Sequence, residues 1–504
     1  MSRLATVYCR ALAGLDSPLV RVEVHIAGGL PGITIVGLPE TAVREARDRV
    51  RAALQSSGFR LPPARITINL APADLPKSGS RFDLAIALGI LLASEAVDLD
   101  LGDVECVAEL GLNGALHPVP GILATALASR RAGRRLVTAP ASSQLLNRVP
   151  DLRLGLAPTL LQCIAALQGQ QDWHKEVEAA ADFAQEIVGS PLADVRGQHQ
   201  AKRALEIAAA GGHSLLLFGP PGCGKTMLAE RLPQLRPALN IQATLEIAAV
   251  ESLLSPAPQW SNRVRMRSPH HSASAAAILG GGRYPTPGEI SRAHHGVLLL
   301  DELTEFARPV LEGLREPLES GSVCIARAAE QWTFPARFQL VATTNPCPCG
   351  FSGDSDRSCR CSLEQVQRYR QRLSGPLLDR LDLQIQLQRP DANALFAQPS
   401  QDVDDPRERI HKALVRANQR QGECNAALSA SELDTHAAWS DADRQWFQHA
   451  GMQLSFSARA LHRCLRVART IADLRQAETV ERSDLLEALS YRQWERAAAS
   501  LASA

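Results

Sequence analysis

Apolar and polar residues alternate along the first third of the chain in a pattern that predicts strands. Residues 20–26 alternate with a period of two, as a half-buried strand does, and residues 33–36 and 65–70 form two more apolar stretches of strand length. An apolar repeat at helical spacing lies between them and comprises Val43, Ala46, Val50 and Leu54. These patterns predict an α+β domain with its own core over residues 1–165.

The rest of the chain divides into a linker, a second α/β block and a helical part. Residues 166–190 are polar and alanine-rich, which predicts a partly helical linker. Residues 191–390 combine apolar strands with helical stretches, whereas residues 400–504 show helical patterns and few strand signals. The expected fold class is therefore α/β, with an α+β domain before the block and a helical domain after it.

A complete G-x-x-x-x-G-K-[ST] motif lies between a predicted strand at 214–218 and a predicted helix that begins at 227. The motif comprises Gly219, Pro220, Pro221, Gly222, Cys223, Gly224, Lys225 and Thr226. Such a loop binds phosphates through its bare backbone N–H groups and the dipole of the following helix. We expect it to bind ATP with Mg²⁺, with Lys225 on the β- and γ-phosphates and the Thr226 hydroxyl on the metal ion.

Two further predicted strands end in residues that would complete an ATP-hydrolysing site. The apolar strand 297–300 runs into Asp301 and Glu302, and the strand 338–344 runs into Asn345. We predict that Asp301 lies beside Mg²⁺ and that Glu302 polarises the attacking water. We predict that Asn345 contacts the γ-phosphate or that water. The alternative for Asp301 and Glu302 is an ordinary strand followed by a solvated acidic turn.

Arg380, in the segment 375–382, is a candidate for an arginine finger that would reach the site of a neighbouring subunit. A planar, permanently charged guanidinium suits the negative charge that develops on a transferred phosphoryl group. The alternative is a surface salt bridge between Arg380 and Asp379 or Asp382.

Four cysteines in the segment 347–361 form two C-x-C pairs separated by nine residues. They are Cys347, Cys349, Cys359 and Cys361. Four thiolates on a polar loop can close a tetrahedral Zn²⁺ site, so we favour structural zinc over the alternative of four free thiols. His270 and His271 are alternative metal-binding residues, although we favour a place for them in a substrate loop.

Composition predicts a cytoplasmic protein with no global preference for nucleic acid. The eleven cysteines are odd in number and scattered, which favours a reducing compartment over a disulfide framework. The N-terminus shows no secretory signal, and no apolar run has the length of a membrane span. Lys and Arg total 54 against 53 Asp and Glu, which gives a net charge of +1. Contact with nucleic acid would therefore have to come from a local basic surface.

The order of these motifs resembles that of AAA+ ATPases, and further segments are similar to the magnesium-chelatase-like branch of that class. These segments lie at 194–198, 201–213, 268–271, 280–282, 287–290, 293–297, 345–350 and 468–474. Together they resemble the ComM/YifB family over nearly the whole chain. This resemblance implies a P-loop parallel-sheet core, a helical lid over residues 400–504 and a homohexameric ring.

The ComM/YifB resemblance also implies a function. It implies that the chain hydrolyses ATP to drive branch migration of single-stranded or branched DNA, without sequence preference, during natural transformation. A magnesium-chelatase ATPase subunit is the alternative, but the D-x-S-x-S motif of its partner subunit is absent from this sequence. By the same resemblance Arg459 would be the second nucleotide sensor, for which Arg463, Arg466 and Arg469 compete.

In this branch, insertions between the nucleotide motifs line the central channel of the ring. The insertion in this chain contains Arg263, Arg265, Arg267 and Arg283. Residues 322–327 and 331–334 predict the two arms of a hairpin. Arginine on such elements would neutralise DNA phosphates, and the alternative is that these arginines pair with acids at subunit interfaces. We expect Trp332 to be a packing residue.

Residues 1–165 resemble the ribosomal-S5-like proteolytic domain of Lon proteases. Segments 75–83 and 111–121 carry the likeness, and the positions of the nucleophilic serine and the catalytic lysine fall at Arg81 and near Thr125. A Ser–Lys dyad needs a hydroxyl beside a desolvated amine, and this pair of residues does not supply one. We therefore expect a non-catalytic domain and disfavour an ATP-dependent protease.

A shifted dyad of Lys77 with Ser78 or Ser80 is the alternative for this domain. We disfavour it, because neighbours on one loop rarely face each other.

Overall fold

The structure is a computed structural model. It describes residues 3–37, 40–75, 77–175, 189–255, 260–282, 285–327, 330–354, 356–389, 405–454 and 456–494. Among the helices in those ranges, none combines the length and the hydropathy that a bilayer crossing requires.

The first unit is built on a mixed sheet. Its strands are β1 (Arg3–Arg10), β2 (Leu19–Ala27), β3 (Gly32–Val36), β4 (Arg65–Ala71), β5 (Val104–Cys106), β8 (Arg135–Thr138) and β9 (Leu154–Leu156), and a small hairpin adds β6 (Glu109–Leu110) and β7 (Leu116–His117). The order across the sheet is β3-β4-β2-β1-β5-β8-β9, with β2 antiparallel to both β1 and β4. The strands predicted at 20–26, 33–36 and 65–70 are confirmed as β2, β3 and β4.

Helices cover this sheet and supply much of its core. They are α1 (Thr41–Ser56), α2 (Asp83–Ala93), α3 (Ile122–Arg131), α4 (Ser143–Leu146) and α5 (Leu160–Leu167). Helix α2 is apolar on nearly all sides because β1 and β2 cover part of it and α1 covers another part. Gly89 permits this close packing, since a Cβ there would lie 2.6 Å from the Val24 side chain. The predicted helical repeat forms the buried face of α1.

The second unit contains a parallel sheet. Its strands are β10 (Leu215–Phe218), β11 (Met266–Arg267), β14 (Val297–Leu300), β17 (Gln339–Thr344) and β18 (Leu383–Gln386), in the order β11-β14-β17-β10-β18. Each neighbouring pair is parallel. Strands β10, β14 and β17 are buried along their whole length, as expected for parallel strands covered on both faces.

Helices and two short strand pairs surround this sheet. The helices are α6 (His199–Gly211), α7 (Lys225–Leu235), α8 (Ile241–Ser252), α9 (Ala275–Leu279), α10 (Glu289–Arg292), α11 (Arg308–Gly313), α12 (Pro317–Ser320), α13 (Leu363–Arg370) and α14 (Gly375–Leu378). The strand pairs are β12 (Gly280–Gly281) with β13 (Thr286–Pro287), and β15 (Ser322–Arg327) with β16 (Glu330–Pro335). Because the strands of the main sheet are parallel, their carboxyl ends meet at one edge, where α7 begins after β10.

The last unit is helical. Its helices are α15 (Arg407–Gln421), α16 (Ala430–His436), α17 (Asp441–Gln453), α18 (Ala458–Leu474) and α19 (Arg482–Ser490). Serine side chains cap three of these helices, at Ser429, Ser440 and Ser457, which satisfies N–H groups that a helix start leaves open. Helix α18 packs against α15, α19 and α6, so the helical unit rests directly on the second unit.

The first unit also rests on the second. Helix α3 packs on α8, and Leu245, Ala248 and Ala249 of α8 belong to the hydrophobic core of the first unit. The Gly121 N–H donates to the Ser252 carbonyl at 2.6 Å. Helix α8 is therefore shared between the two units.

Candidate active site

The phosphate loop connects β10 to α7 in a conformation that depends on glycine. Gly222 and Gly224 have φ values of 77° and 89°, in the left-handed region that side chains disfavour. A Cβ on Gly219 would lie 2.4 Å from the Leu387 carbonyl oxygen. The loop therefore keeps its N–H groups free of side chains at the start of α7, where a phosphate binds best.

The Lys225 ammonium joins this loop to the end of β17. Its Nζ donates to the carbonyl oxygens of Gly219 and Pro220 at 2.8 and 3.1 Å, and to Asn345 Oδ1 at 3.0 Å. Burial lowers the pKa of Lys225. The structure thus brings together two residues that lie 120 positions apart in the chain.

Thr226 and Asp301 form the second pair of the site. The Thr226 hydroxyl lies 3.2 Å from both carboxylate oxygens of Asp301, which follows β14. The Thr343 hydroxyl donates to the same carboxylate. Hydroxyl and carboxylate oxygens are the ligands that Mg²⁺ prefers, so this donor set fits the ion that ATP carries.

Thr343 also positions Glu302, a role that sequence reasoning missed. The Glu302 N–H donates to the Thr343 hydroxyl at 3.1 Å, and Glu302 has a φ of 56°, an uncommon value for a residue with a side chain. A hydroxyl at the end of an otherwise apolar strand was the available signal. Its partners could not be inferred, because they lie on another strand.

Glu302 and Asn345 face one cleft of about 480 Å³. The other residues that line it are His271, Glu305, Pro348, Tyr369 and Arg372. The cleft is large enough for phosphate and water, so a water molecule can lie between the Glu302 carboxylate and a bound nucleotide.

Arg380 lies away from these groups and is held within its own chain. Its Nη2 pairs with Glu319 at 2.5 Å, and its Nη1 and Nε donate to the Pro376 and Arg315 carbonyls at 2.6 and 3.1 Å. The alternative prediction, a salt bridge from Arg380 to Asp379 or Asp382, is wrong. Asp382 instead accepts from other groups, because the fold buries its carboxylate beside the helical unit.

Asp382 ties the helical unit to the sheet. Its carboxylate lies 2.7 Å from Arg463 Nη1, 3.3 Å from His213 Nδ1 and 3.1 Å from the Ser214 N–H. Burial acts to raise the pKa of Asp382, but Arg463 and His213 outweigh burial and hold that pKa well below its ordinary value. This cluster is a fixed contact between the core and α18.

These pairings narrow the choice of second sensor. Arg463 is paired with Asp382, and Arg469 is buried in an ion pair with Asp473 at 2.9 Å. Arg459 is exposed at the first turn of α18. Arg466 Nε is buried and lacks a hydrogen-bond partner among the described residues. Arg459 is thus the exposed member of the four, and its sensor role stays a prediction.

The four cysteines come together in the loop that follows Asn345. Cys347 Sγ lies 3.4 Å from Cys349 Sγ, and Cys359 Sγ lies 3.6 Å from both. All four sulfur atoms, including that of Cys361, lie within 4.8 Å of one another. A tetrahedral zinc with bonds of about 2.3 Å places its sulfurs about 3.8 Å apart, so the cluster fits that ion.

Backbone N–H groups favour the thiolate form of one of these cysteines. Desolvation acts to raise the pKa of Cys349, but hydrogen bonds from the Arg360 and Phe351 N–H groups lower it to about 6. Thiolate is the form that binds metal.

A second cluster with metal-binding residue types joins Glu246, His294 and His295. Glu246 Oε2 lies 3.2 and 2.7 Å from the Nε2 atoms of the two histidines, and these hydrogen bonds hold the pKa of Glu246 well below its ordinary value. The Arg337 N–H donates to His294 Nδ1, so His294 Nε2 carries the proton and cannot bind a metal. The cluster is a hydrogen-bonded link from α8 to the start of β14.

In the first unit, the two positions that the Lon likeness singles out contact each other. Arg81 Nη1 lies 3.4 Å from Thr125 Oγ1, which in turn lies 3.0 Å from Ser17 Oγ. Arg81 also donates to the Pro120 carbonyl. Both Arg81 and Thr125 are buried, and burial lowers the pKa of Arg81 to about 10.

The residues of the shifted dyad have other partners. Lys77 Nζ donates to the Pro72 carbonyl, and the Ser80 hydroxyl donates to Glu109. The amine of this lysine and the hydroxyl of this serine are therefore both engaged by other groups.

Two of the four arginines of the insertion contact an acid of their own chain. Arg265 and Arg267 pair with Glu251 on α8 at 2.6 and 3.1 Å. Arg263 is exposed, and Arg283 lies outside the described residues. The predicted hairpin is confirmed as β15–β16, and Trp332 packs against the core, as predicted.

Three models of known protein families match segments of the chain. A family model described as magnesium chelatase, subunit ChlI, matches residues 191–395. A model described as subunit ChlI of Mg-chelatase matches residues 22–143, and one for the C-terminal part of magnesium chelatase subunit ChlI matches residues 399–492.

Two relatives match nearly the whole chain, and a third matches part of it. The chain is 46% identical over 499 residues to the competence protein ComM of Haemophilus influenzae, covering 97% of each chain. It is 45% identical over 500 residues to YifB of Salmonella typhimurium, covering 98% of each. It is 28% identical over 179 residues to the magnesium-chelatase 38 kDa subunit of Rhodobacter capsulatus, covering 31% of this chain and 50% of that subunit.

Proposed function

The chain belongs to the magnesium-chelatase-like AAA+ family that includes ComM and YifB, which implies an ATPase, and we propose that it uses ATP hydrolysis to drive branch migration of DNA. The observation that carries the ATPase part is the meeting of three strand ends. Lys225 bonds to Asn345, and Thr226 and Thr343 bond to Asp301, around the cleft that Glu302 faces.

Each of these residues has a role in phosphoryl transfer. ATP with Mg²⁺ supplies the γ-phosphoryl group and the divalent charge that offsets its oxygens. Lys225 would exchange its carbonyl partners for phosphate oxygens, and Thr226 and Asp301 would hold Mg²⁺. Glu302 accepts a proton from the attacking water, and Asn345 orients that water or the γ-phosphate.

A homohexameric ring would complete the site with Arg380. A finger must leave Glu319 and the two carbonyls that hold it in one chain, so subunit contact would exchange those bonds for the charge on a neighbour's nucleotide. Mixing two inactive variants tests this role. Arg380→Ala and Lys225→Ala proteins, each inactive alone, regain turnover when mixed if Arg380 acts in trans, and stay inactive if it acts within its own chain.

Glu319→Gln is the matched control for Arg380, because it removes the partner and leaves the arginine. We expect this variant to retain turnover. Loss of turnover in Glu319→Gln equal to that in Arg380→Ala would assign Arg380 a purely structural role.

The DNA-binding part of the proposal rests on sequence similarity to ComM and on local basic residues. The relative from Haemophilus influenzae is a competence protein and matches along the whole chain. The exposed Arg263 is a cation that would bind phosphates without sequence preference, and β15 ends at a second arginine, Arg327. Single-stranded or branched DNA is the expected partner, in the cytoplasm.

Unwinding of a labelled four-way DNA junction tests this function. Wild-type protein with ATP is expected to convert the junction to duplex products, and Glu302→Gln is expected to bind the junction without converting it. Conversion by wild type without ATP, or no conversion beside normal ATP turnover, would contradict the proposal.

Insertion of Mg²⁺ into a porphyrin is the second candidate, because magnesium-chelatase family models match the chain in three places. The likeness to the Rhodobacter subunit covers 31% of the chain, whereas the likeness to ComM covers 97%. The length of the match therefore favours the DNA function.

We further propose that the cysteine cluster holds one structural zinc and that the first unit is a non-catalytic, Lon-like scaffold. The sulfur distances support the zinc, and the burial of Arg81 and Thr125 supports the scaffold. Elemental analysis of purified protein should find about one zinc per chain. A folded protein with no bound metal would contradict the site.

A further inference from the structure

The cysteine cluster lies against the nucleotide site from two directions. Along the chain, only Pro346 separates Cys347 from Asn345, the residue that bonds to Lys225. Cys347 is buried, and the Ser352 N–H donates to its sulfur at 3.3 Å. Any movement of Cys347 therefore passes to Asn345 through a short and packed piece of backbone.

The second contact is with the phosphate loop itself. Gly350 has a φ of 83°, and a Cβ there would lie 2.6 Å from Cδ and 2.9 Å from Cγ of Pro221. The cysteine loop thus packs its bare backbone on the tip of the phosphate loop. Pro348, between two of the cysteines, lines the cleft that contains Glu302.

Other contacts fix the outer side of the cysteine loop. Arg370 Nε donates to the Pro346 carbonyl at 3.2 Å, and the guanidinium of Arg389 lies 5.4 Å from the Phe351 ring centre. These residues belong to α13 and to the segment after β18. The loop is therefore braced between the sheet and the phosphate loop, and the sulfur cluster closes it.

We propose that metal bound by the four cysteines sets the position of the phosphate loop and of Asn345, so that loss of the metal weakens ATP binding and slows hydrolysis. The inference rests on the proposed ATPase and deepens it with a means of regulation. A soft divalent cation such as Zn²⁺ joins the two C-x-C pairs into one rigid unit. Without that cation no metal bond joins the two pairs, and the contact of Gly350 with Pro221 is held less firmly.

Zinc titration tests the inference directly. Chelator-treated protein is dialysed, Zn²⁺ alone is added back, and the Kd for a fluorescent ATP analogue is measured with Mg²⁺ present. We expect the Kd to fall about tenfold as one zinc per chain binds, the scale on which outer supports of a site act. Cys324→Ser, which alters a cysteine outside the cluster, should show the same titration.

Two glycine variants test the contact without altering the cysteines. Gly350→Ala places a methyl group against Pro221, and Gly353→Ala places one in the same loop, with a similar φ of 80°, near the Gln386 side chain instead. Both should keep one zinc and a wild-type circular dichroism spectrum. We expect the Kd to rise about tenfold in Gly350→Ala and to stay within about twofold in Gly353→Ala.

The outcomes separate this inference from the proposed function. An ATP Kd that is the same with and without zinc, or the same rise in both glycine variants, would overturn the inference. Zinc-loaded wild type that binds ATP but never hydrolyses it would overturn the proposed ATPase and leave the binding comparison standing.

Discussion

The first and second units differ in where they place their motif residues. In the second unit, Lys225, Asp301 and Glu302 follow the carboxyl ends of β10 and β14, and Glu302 faces a cleft of about 480 Å³. In the first unit, Arg81 and Thr125 contact each other inside the domain and are buried.

The difference shows what distinguishes a candidate binding site from a buried structural cluster. Lys225 bonds to backbone carbonyls beside a loop of bare N–H groups, and a phosphate can replace those partners. The Arg81 guanidinium is buried and bonds to a carbonyl and to a hydroxyl that is itself bonded to Ser17. Access for a ligand, more than charge, distinguishes Lys225 from Arg81.

The largest expected effect comes from Lys225→Ala. This substitution removes the cation that the phosphate oxygens would meet, so we expect ATP turnover to fall about 1,000-fold. Steady-state phosphate release measures it. Lys412→Ala is the control, since Lys412 pairs with Glu408 on an exposed face and its loss should change turnover by less than about twofold. Turnover retained in Lys225→Ala would contradict the assignment.

Asp382→Asn should have the next largest effect, on stability. It leaves Arg463 half-buried without its carboxylate, so we expect the free energy of unfolding to fall by about 3 kcal/mol in urea titration. Asp434→Asn is the matched control, because the Arg444–Asp434 pair is exposed and its loss should cost less than about 1 kcal/mol. Equal losses would refute the structural role of Asp382.

The same carboxylate predicts an acid dependence. The pKa of Asp382 is lower in the folded chain than in the unfolded chain, so its stabilising effect is complete above the unfolded pKa of about 4. The effect is lost progressively as pH falls below that value towards the much lower folded pKa. Wild type should therefore lose more stability than Asp382→Asn over this range, and parallel pH profiles would contradict the account.

Arg81→Ala tests the first unit, where we expect a structural effect and no effect on ATP turnover. The substitution leaves the Pro120 carbonyl without this donor and opens a cavity, so we expect a loss of about 2 kcal/mol in unfolding free energy. ATP turnover should stay within about twofold of wild type. Peptidase activity that changes in this variant would contradict the scaffold role of the first unit.

The smallest expected effect concerns the helix that both units share. Glu246→Gln on α8 weakens the hydrogen bonds to His294 and His295, which precede β14, and should cost about 1 kcal/mol of stability. Gln242→Ala is the control, because that side chain bonds to Glu246 from an exposed position. If the control destabilises the protein more than Glu246→Gln, the link to the histidines is not the stabilising contact.

Much of the site was predictable because its signals are local. A glycine motif between strand and helix predicts the phosphate loop, and an apolar run that ends in two acids predicts the position of Asp301 and Glu302. Parallel strands then bring the ends of β10, β14 and β17 to one edge. These steps need only periodicity, motif spacing and sheet geometry.

The long-range pairings could not be predicted in the same way. Thr343 is one hydroxyl among several, and its bonds to Asp301 and Glu302 depend on strand register. The alternative to the finger role of Arg380 is a salt bridge with Asp379 or Asp382, but the fold pairs Arg380 with Glu319 instead. The histidines that bond to Glu246 lie 48 and 49 residues from it, and no local pattern joins them.

ATP turnover measured in parallel for wild type, Glu302→Gln and Arg81→Ala is the most direct test of the central claim that the chemistry resides at the parallel sheet alone. We predict that Glu302→Gln binds ATP with wild-type affinity but hydrolyses it at least about 100-fold more slowly, while Arg81→Ala turns it over at the wild-type rate within about twofold. Wild-type turnover in Glu302→Gln, or turnover that is lost in a folded Arg81→Ala protein, would contradict the account.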